Sequence, residues 1–293
     1  MTEIAAADIE VLADVAVAAR GRLGGWMPGR HRGRNPGAGG SFAGYASLID
    51  HPDARRIDLR ASLRDPVGTV LVRRFRQDVA AAMYILVDRS GSMAISGRAD
   101  RPALAALIAG GLARAAERSG DRVGLLMAGA TIRDGGILPA VRRRGIGVEI
   151  AAAVAAAEPA GAGISGLIAA AELIPPRRAV VFIVSDFSFS PEILDALLGA
   201  LAVHDVRPIR LVDGAVDAPL PAFGLVELFD LEQRRRRLVL MRPKLAAAFR
   251  AAAAAHAAAV DAVFSRHDTA PIDIVDQLDA DAFFEALVLG GPG

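Results

Sequence analysis

The chain has 293 residues, 53% of them apolar and 23% charged, with a net charge of +1 and no cysteine. That length buries a sizeable core in one large or two ordinary domains without a disulfide or metal staple. The charge balance argues against nucleic acid or an anionic membrane drawn in by a whole-molecule field, and zero cysteine excludes a disulfide framework and thiol catalysis. Alanine supplies 61 residues, so the expected core is closely packed helices with small faces against a few β-branched strands. The first residues carry Glu3, Asp8, Glu10 and Asp14, unlike a secretory leader, and the expectation is a cytoplasmic protein. No run of about 18 uninterrupted apolar residues occurs, so no membrane insertion is expected.

Residues 1–20 read as an amphipathic helix, and 21–44 as an irregular Gly/Arg-rich arm. A charged stretch follows and ends in TVLVRRFRQD, a strand. From residue 79 the pattern alternates. AAAMYILVD (80–88) is a strand, 102–120 a helix with a Gly stop, and 121–130 a second buried strand. Residues 146–157 and 165–174 read as helices, RRAVVFIVSDF (177–187) as a strand, 191–204 as a helix and 205–213 as a strand. Residues 225–241 suggest two short strands around QRRRR. An Ala-rich helix spans 243–267, with small faces suited to close packing; a strand at 271–276 and a helix at 279–290 end the chain. Apolar strands alternating with helices of this length predict an α/β fold: a doubly wound, mostly parallel sheet with helices on both faces. The organisation expected is an N-terminal helix and arm (1–78) packed on a core (79–215), completed by C-terminal strands and helices (216–293).

The sharpest local signal is D-R-S-G-S, with Asp88, Ser90 and Ser92 directly after a buried strand. In a parallel sheet, C-terminal strand ends are where open α/β folds place ligands. One carboxylate and two hydroxyls at alternate loop positions suit a hard divalent cation such as Mg2+. A second buried strand ends in S-D-F and brings Asp186 to the same edge.

The pattern resembles the metal-ion-dependent adhesion site (MIDAS) of the von Willebrand factor A fold, D-x-S-x-S with a later Thr and Asp. Asp88, Ser90, Ser92 and Asp186 match. For the middle Thr, GAGISGL (161–167) offers Ser165, or Ile164 if aligned one residue earlier. Beyond the site, GRHRGR, FAGY, RRID, RASLR and LVRRF before DRSGS, with GLVELFDLE near the end, resemble the bacterial domain-of-unknown-function-58 family across most of the chain. Leu59 stands where that family has Trp, and Arg74 where it has an acid. The resemblance implies a von Willebrand A-like domain working with a MoxR-type AAA+ ATPase. The pair would assemble or mature a client protein, one branch serving methanol dehydrogenase. On this reading Mg2+ sits on Asp88, Ser90, Ser92, Ser165 and Asp186, and an acidic side chain of a client completes it: binding without catalysis.

Two readings of other classes compete. One is a Mg2+-dependent hydrolase or phosphoryl-transfer enzyme using Asp88, for which no general base stands near the loop. The other is RNA binding through Arg20, Arg22, Arg30, Arg32, Arg34 and Trp26. The chain has no Walker A loop, G-x-S-x-G elbow or histidine pair at metal-ligand spacing.

Overall fold

A computed structural model describes residues 7–14, 41–76, 82–95, 97–132, 136–158, 165–216, 218, 220–230 and 235–289. The arm arginines and Trp26 lie outside them. The chain divides into two compact units, Met27–Ala80 and Met1–Trp26 with Ala81–Gly293.

In the smaller unit, strand β1 (Ser41–Ser47) pairs antiparallel with β2 (Leu71–Arg76). Residues 41–44, expected as the end of an irregular arm, instead open β1. Between the strands lies the short helix α2 (Leu59–Ser62), capped by Asp58, whose carboxylate accepts from the Ala61 amide. The same carboxylate accepts from the Tyr45 hydroxyl at 3.1 Å and from Arg73 Nε at 2.7 Å. The Ala61 amide and Arg73 hold Asp58 down at about 2. Tyr45, Asp58 and Arg73 come from FAGY, RRID and LVRRF, so three of the sequence blocks that carried the family resemblance meet at one carboxylate.

The larger unit is built on a six-stranded sheet. Helix α1 (residues 7–14) precedes β3 (Ala82–Asp88), α3 (Arg101–Ser119), β4 (Arg122–Ala128), β5 (Ile137–Val141), α4 (Ile146–Ala156) and α5 (Ser165–Glu172). Then come β6 (Val180–Ser185), α6 (Pro191–Ala200), β7 (Asp205–Val212), β8 (Gly224–Asp230), β9 (Arg235–Met241), α7 (Pro243–Arg266), β10 (Ile272–Val275) and α8 (Ala280–Leu289). The sheet order is β10-β7-β6-β3-β4-β5, parallel except for β5, which the sequence pattern missed. β5 is a short edge strand whose residues are all partly or fully exposed, so it lacks the continuous apolar run of its neighbours. The remaining alternation produces the expected doubly wound α/β architecture. β8 and β9 pair as a separate antiparallel hairpin.

Successive strand residues face opposite ways. Leu86, Leu126, Val181 and Ile183 pack on one face with Leu167, Leu194, Leu197 and Phe264 of α5, α6 and α7. On the other face, α3 packs against β3 and β4 and lies along α4. Asp100 caps the start of α3 by accepting from the Ala103 amide, Pro102 occupies the first turn, and Gly120 ends the helix at φ 74°.

Gly110 and Gly111 of α3 let two helices close in. A Cβ at Gly110 would stand 2.7 Å from the Ala151 Cβ of α4, and one at Gly111 only 2.4–2.8 Å from the Leu12 side chain of α1. Gly111→Ala should therefore push α1 off α3. Overpacking of about 1–3 kcal/mol outweighs the gain in helix propensity of about 1 kcal/mol. The urea midpoint of the larger unit should fall; an unchanged or raised midpoint would refute the tight α1–α3 contact.

One expectation needs correction. The Ala-rich helix α7 is not packed along its length. Only Ala246, Val260, Val263 and Phe264 are buried, and residues 247–258 are exposed all round. Alanine removes so little apolar area that the helix forms on propensity there, while the three larger residues of its last turns supply the anchor. By length and composition α7 is also apolar enough to cross a membrane. Counting only uninterrupted runs overlooked this, because Arg250 and His256 break the run.

Candidate metal centre

The parallel strands β3, β4, β6, β7 and β10 all end at one edge of the sheet, and that edge carries the expected residues. Asp88 is the last residue of β3 and is buried. Its Oδ1 accepts from the Ser90 amide at 2.7 Å, which turns the chain into a short 3-10 segment, Gly91–Ala94. Its Oδ2 accepts from the Ser185 hydroxyl at 2.6 Å, joining the tip of β3 to that of β6. The Ser90 and Ser92 hydroxyls share a hydrogen bond at 3.0 Å.

Asp186 follows directly. One of its oxygens accepts from the Ser188 amide at 3.1 Å, the other from Arg101 Nη1 at 3.2 Å. The same Nη1 donates to the Ser92 carbonyl at 3.2 Å. The structure thus brings together Asp88, Ser90, Ser92 and Asp186, and adds Ser185 and Arg101, which the sequence reading did not single out. Ser165 begins α5, and its exposed hydroxyl donates to the Ala130 carbonyl in the loop after β4 at 2.9 Å. Among the described residues it forms no hydrogen bond with the other four.

Electrostatics mark the spot. Burial, and then the neighbouring Asp186 charge, push the Asp88 carboxyl up to about 6, against the hydrogen bonds from Ser185 and Ser90. The ionised site therefore holds negative charge that a cation would relieve. Mg2+ takes oxygen ligands at about 2.0–2.1 Å in an octahedron, whose adjacent vertices lie about 2.9 Å apart. The hydrogen-bonded Ser90 and Ser92 oxygens, 3.0 Å apart, would need only a small shift to take such an edge, and the Asp88 carboxylate lies beside them. The donor set fits a hard cation that keeps several waters. Among the described residues no cluster of three or more His, Cys, Asp or Glu could hold a metal, so a site here must rest on hydroxyls as well as carboxylate.

A third carboxylate, Asp213, organises the approach to this edge. It follows β7 and is fully buried. It accepts from the Gly97, Arg98 and Ala99 amides at 2.7, 3.1 and 3.0 Å, and from those of Ala215 and Val216 at 2.8 and 3.0 Å. Burial alone would raise its pKa, but the Arg98, Val216, Ala215 and Ala99 amides hold it well below the usual carboxylate range. Gly97 is required there: a Cβ would stand 2.6 Å from Asp213 Oδ1. The latched segment leads straight into α3 and so positions Arg101.

Residues 51–259 match the family described as protein of unknown function DUF58. The chain belongs to that family. A DUF58 chain of this kind is 41% identical over 101 residues to an uncharacterized protein in the moxR 3′ region of Paracoccus denitrificans, spanning 34% of this chain and 96% of that one. Solved structures similar to this DUF58 chain include BatB of Bacteroides thetaiotaomicron, with 12% identity, TM-score 0.41 and coverage of 72% of this chain and 97% of that one. The SpRpn10 VWA domain is 17% identical, with TM-score 0.38 and coverage of 73% and 98%.

Proposed function

We propose that this DUF58 chain is a non-enzymatic, von Willebrand A-like interaction module that works with a MoxR-type AAA+ ATPase in assembling or maturing a client protein. Asp88, Ser90 and Ser92 would hold a divalent cation of the Mg2+ class, with Asp186 in the ring around it. A bound cation there supplies an electron-poor position open to one outside ligand. The chain's own residues do the rest. Asp88 anchors the turn, Ser90 and Ser92 present their hydroxyls together, and Ser185 locks the β6 tip to the β3 tip. The observation that carries the reading is the meeting of two hydroxyls and a buried carboxylate where the C-terminal ends of β3 and β6 join. The moxR 3′ location of the Paracoccus relative supports the choice of partner. ATP chemistry would belong to that ATPase.

Capture of a MoxR-type AAA+ ATPase tests the reading. Wild type and Asp88→Ala are compared at the same Mg2+ and ATP, which separates this chain's cation from the ATPase's own. Wild type should retain the ATPase and Asp88→Ala should lose at least about nine-tenths of it. Equal capture by the two would reject the metal-dependent reading.

A further inference from the structure

We propose that Arg101 is a built-in counter-cation that sets the charge of the centre, weakening cation binding and strengthening capture of an anionic outside ligand. The inference rests on the metal reading above and specifies how the charge of that site is set.

Arg101 opens α3, on a helix whose other buried side chains are Leu, Ile and Ala. Its side chain is 2% exposed and that of its partner Asp186 1%. Burying an ion pair costs desolvation that its own attraction often fails to offset, and an apolar residue of similar volume would commonly hold the fold as well. The guanidinium therefore needs a reason beyond packing. Its position supplies one: a single nitrogen, Nη1, spans the Ser92 carbonyl and Asp186. It thus touches the loop after β3 and the loop after β6, the two sides between which the cation would sit.

Charge counting gives the consequence. Asp88, Asp186 and Arg101 together carry one net negative charge when both carboxyls are ionised. A divalent cation turns that into one net positive charge. Without the guanidinium, the same two carboxylates and cation would be neutral. In a buried, low-dielectric setting that difference acts in opposite directions on the two binding steps. Arg101 repels the incoming cation and so weakens metal binding. It leaves the loaded centre cationic and so strengthens capture of an anion. A carboxylate is the compact anion that takes a single coordination position on a hard cation. The alternative is that Arg101 is only a hydrogen-bonding brace, in which case its charge is irrelevant to either step.

The two accounts separate with Mn2+ and acetate as probes. Free Mn2+ is followed by its paramagnetic resonance signal, and acetate binding by loss of water-proton relaxation from the Mn2+-loaded protein. Arg101→Gln removes the charge and keeps a polar side chain; Arg101→Met is a second neutral variant should the first not fold. The neutral variant is expected to bind Mn2+ about tenfold more tightly and acetate about tenfold more weakly, while Arg101→Lys stays within about threefold of wild type in both. A neutral variant that binds Mn2+ no more tightly, or shifts both constants the same way, overturns the proposal. If wild type binds Mn2+, Asp88→Ala does not, and the neutral variant matches wild type, the metal reading stands and the role of Arg101 falls. If neither wild type nor the neutral variant binds Mn2+, both fall.

Discussion

Replacing Asp88 with asparagine should raise the thermal midpoint of the metal-free protein near pH 7.5 while abolishing its response to Mg2+. Burial and the Asp186 charge raise this carboxyl to about 6 in the folded state, against about 3.9 in an unfolded chain. The sign follows from linkage. The folded state holds the proton more tightly than the unfolded state, so stability falls as pH rises from about 4 through 6, and the full penalty is present above 6. Two pKa units correspond to about 3 kcal/mol. Asparagine removes that penalty and still offers an oxygen to the Ser90 amide, but it disturbs the Ser185 bond. The net gain should be about 1–3 kcal/mol, or several degrees in the midpoint of the larger unit. Near pH 4.5 the penalty should shrink to about a third, because folded wild type then carries the proton, and it should vanish only below about pH 4. Millimolar Mg2+ should raise the midpoint of wild type and leave that of Asp88→Asn unmoved. Two scans, with and without Mg2+ at each pH, check this. An asparagine variant less stable than wild type near pH 7.5, or one equally stabilised by Mg2+, would contradict the cation site at Asp88.

Most of the fold was legible because its central strands are largely buried. A strand covered on both faces must be a continuous apolar run, and β3, β4 and β6 each read as one. β5 escaped because an edge strand needs no such run. α7 misled for the opposite reason: alanine is compatible with both a packed face and a bare one, and composition cannot tell them apart. The site was half legible. D-x-S-x-S and Asp186 stood out as local patterns at strand ends. Arg101 did not, since one arginine at a helix start looks like any solvated charge until its burial is known. Asp213 carried a signal that went unused. β3, β6, β7 and β10 are each closed by an Asp at or just past the last strand residue, Asp88, Asp186, Asp213 and Asp276. A repeated acid at the C-terminal edge of one parallel sheet marks the side where amides and cations gather. Asp276 behaves the same way, accepting from the Gly214 amide at 2.6 Å.

That repeat makes Asp213→Ala the substitution with the largest expected cost. Five backbone amides, from Gly97, Arg98, Ala99, Ala215 and Val216, share this one carboxylate. Alanine leaves all of them without it; Ala99 is buried, where an orphaned donor costs about 1–3 kcal/mol, while Gly97, Arg98, Ala215 and Val216 are exposed and can turn in part to water. Water and relaxation of the loop recover part, so the loss should be about 2–4 kcal/mol, read as a lower urea midpoint at unchanged slope. Asp213→Asn keeps one accepting oxygen and should lose roughly half as much. The effect should also have a location. Amide exchange should quicken at 97–99 and 215–216, while Met83–Val87 of β3 slows or quickens only with global stability. Because 97–99 leads directly into α3, loosening it lets Arg101 leave Asp186 and Ser92. Mn2+ binding should then change even in protein that remains folded. If exchange at 97–99 stayed slow in the alanine variant, the latch would have to be held by something other than this carboxylate.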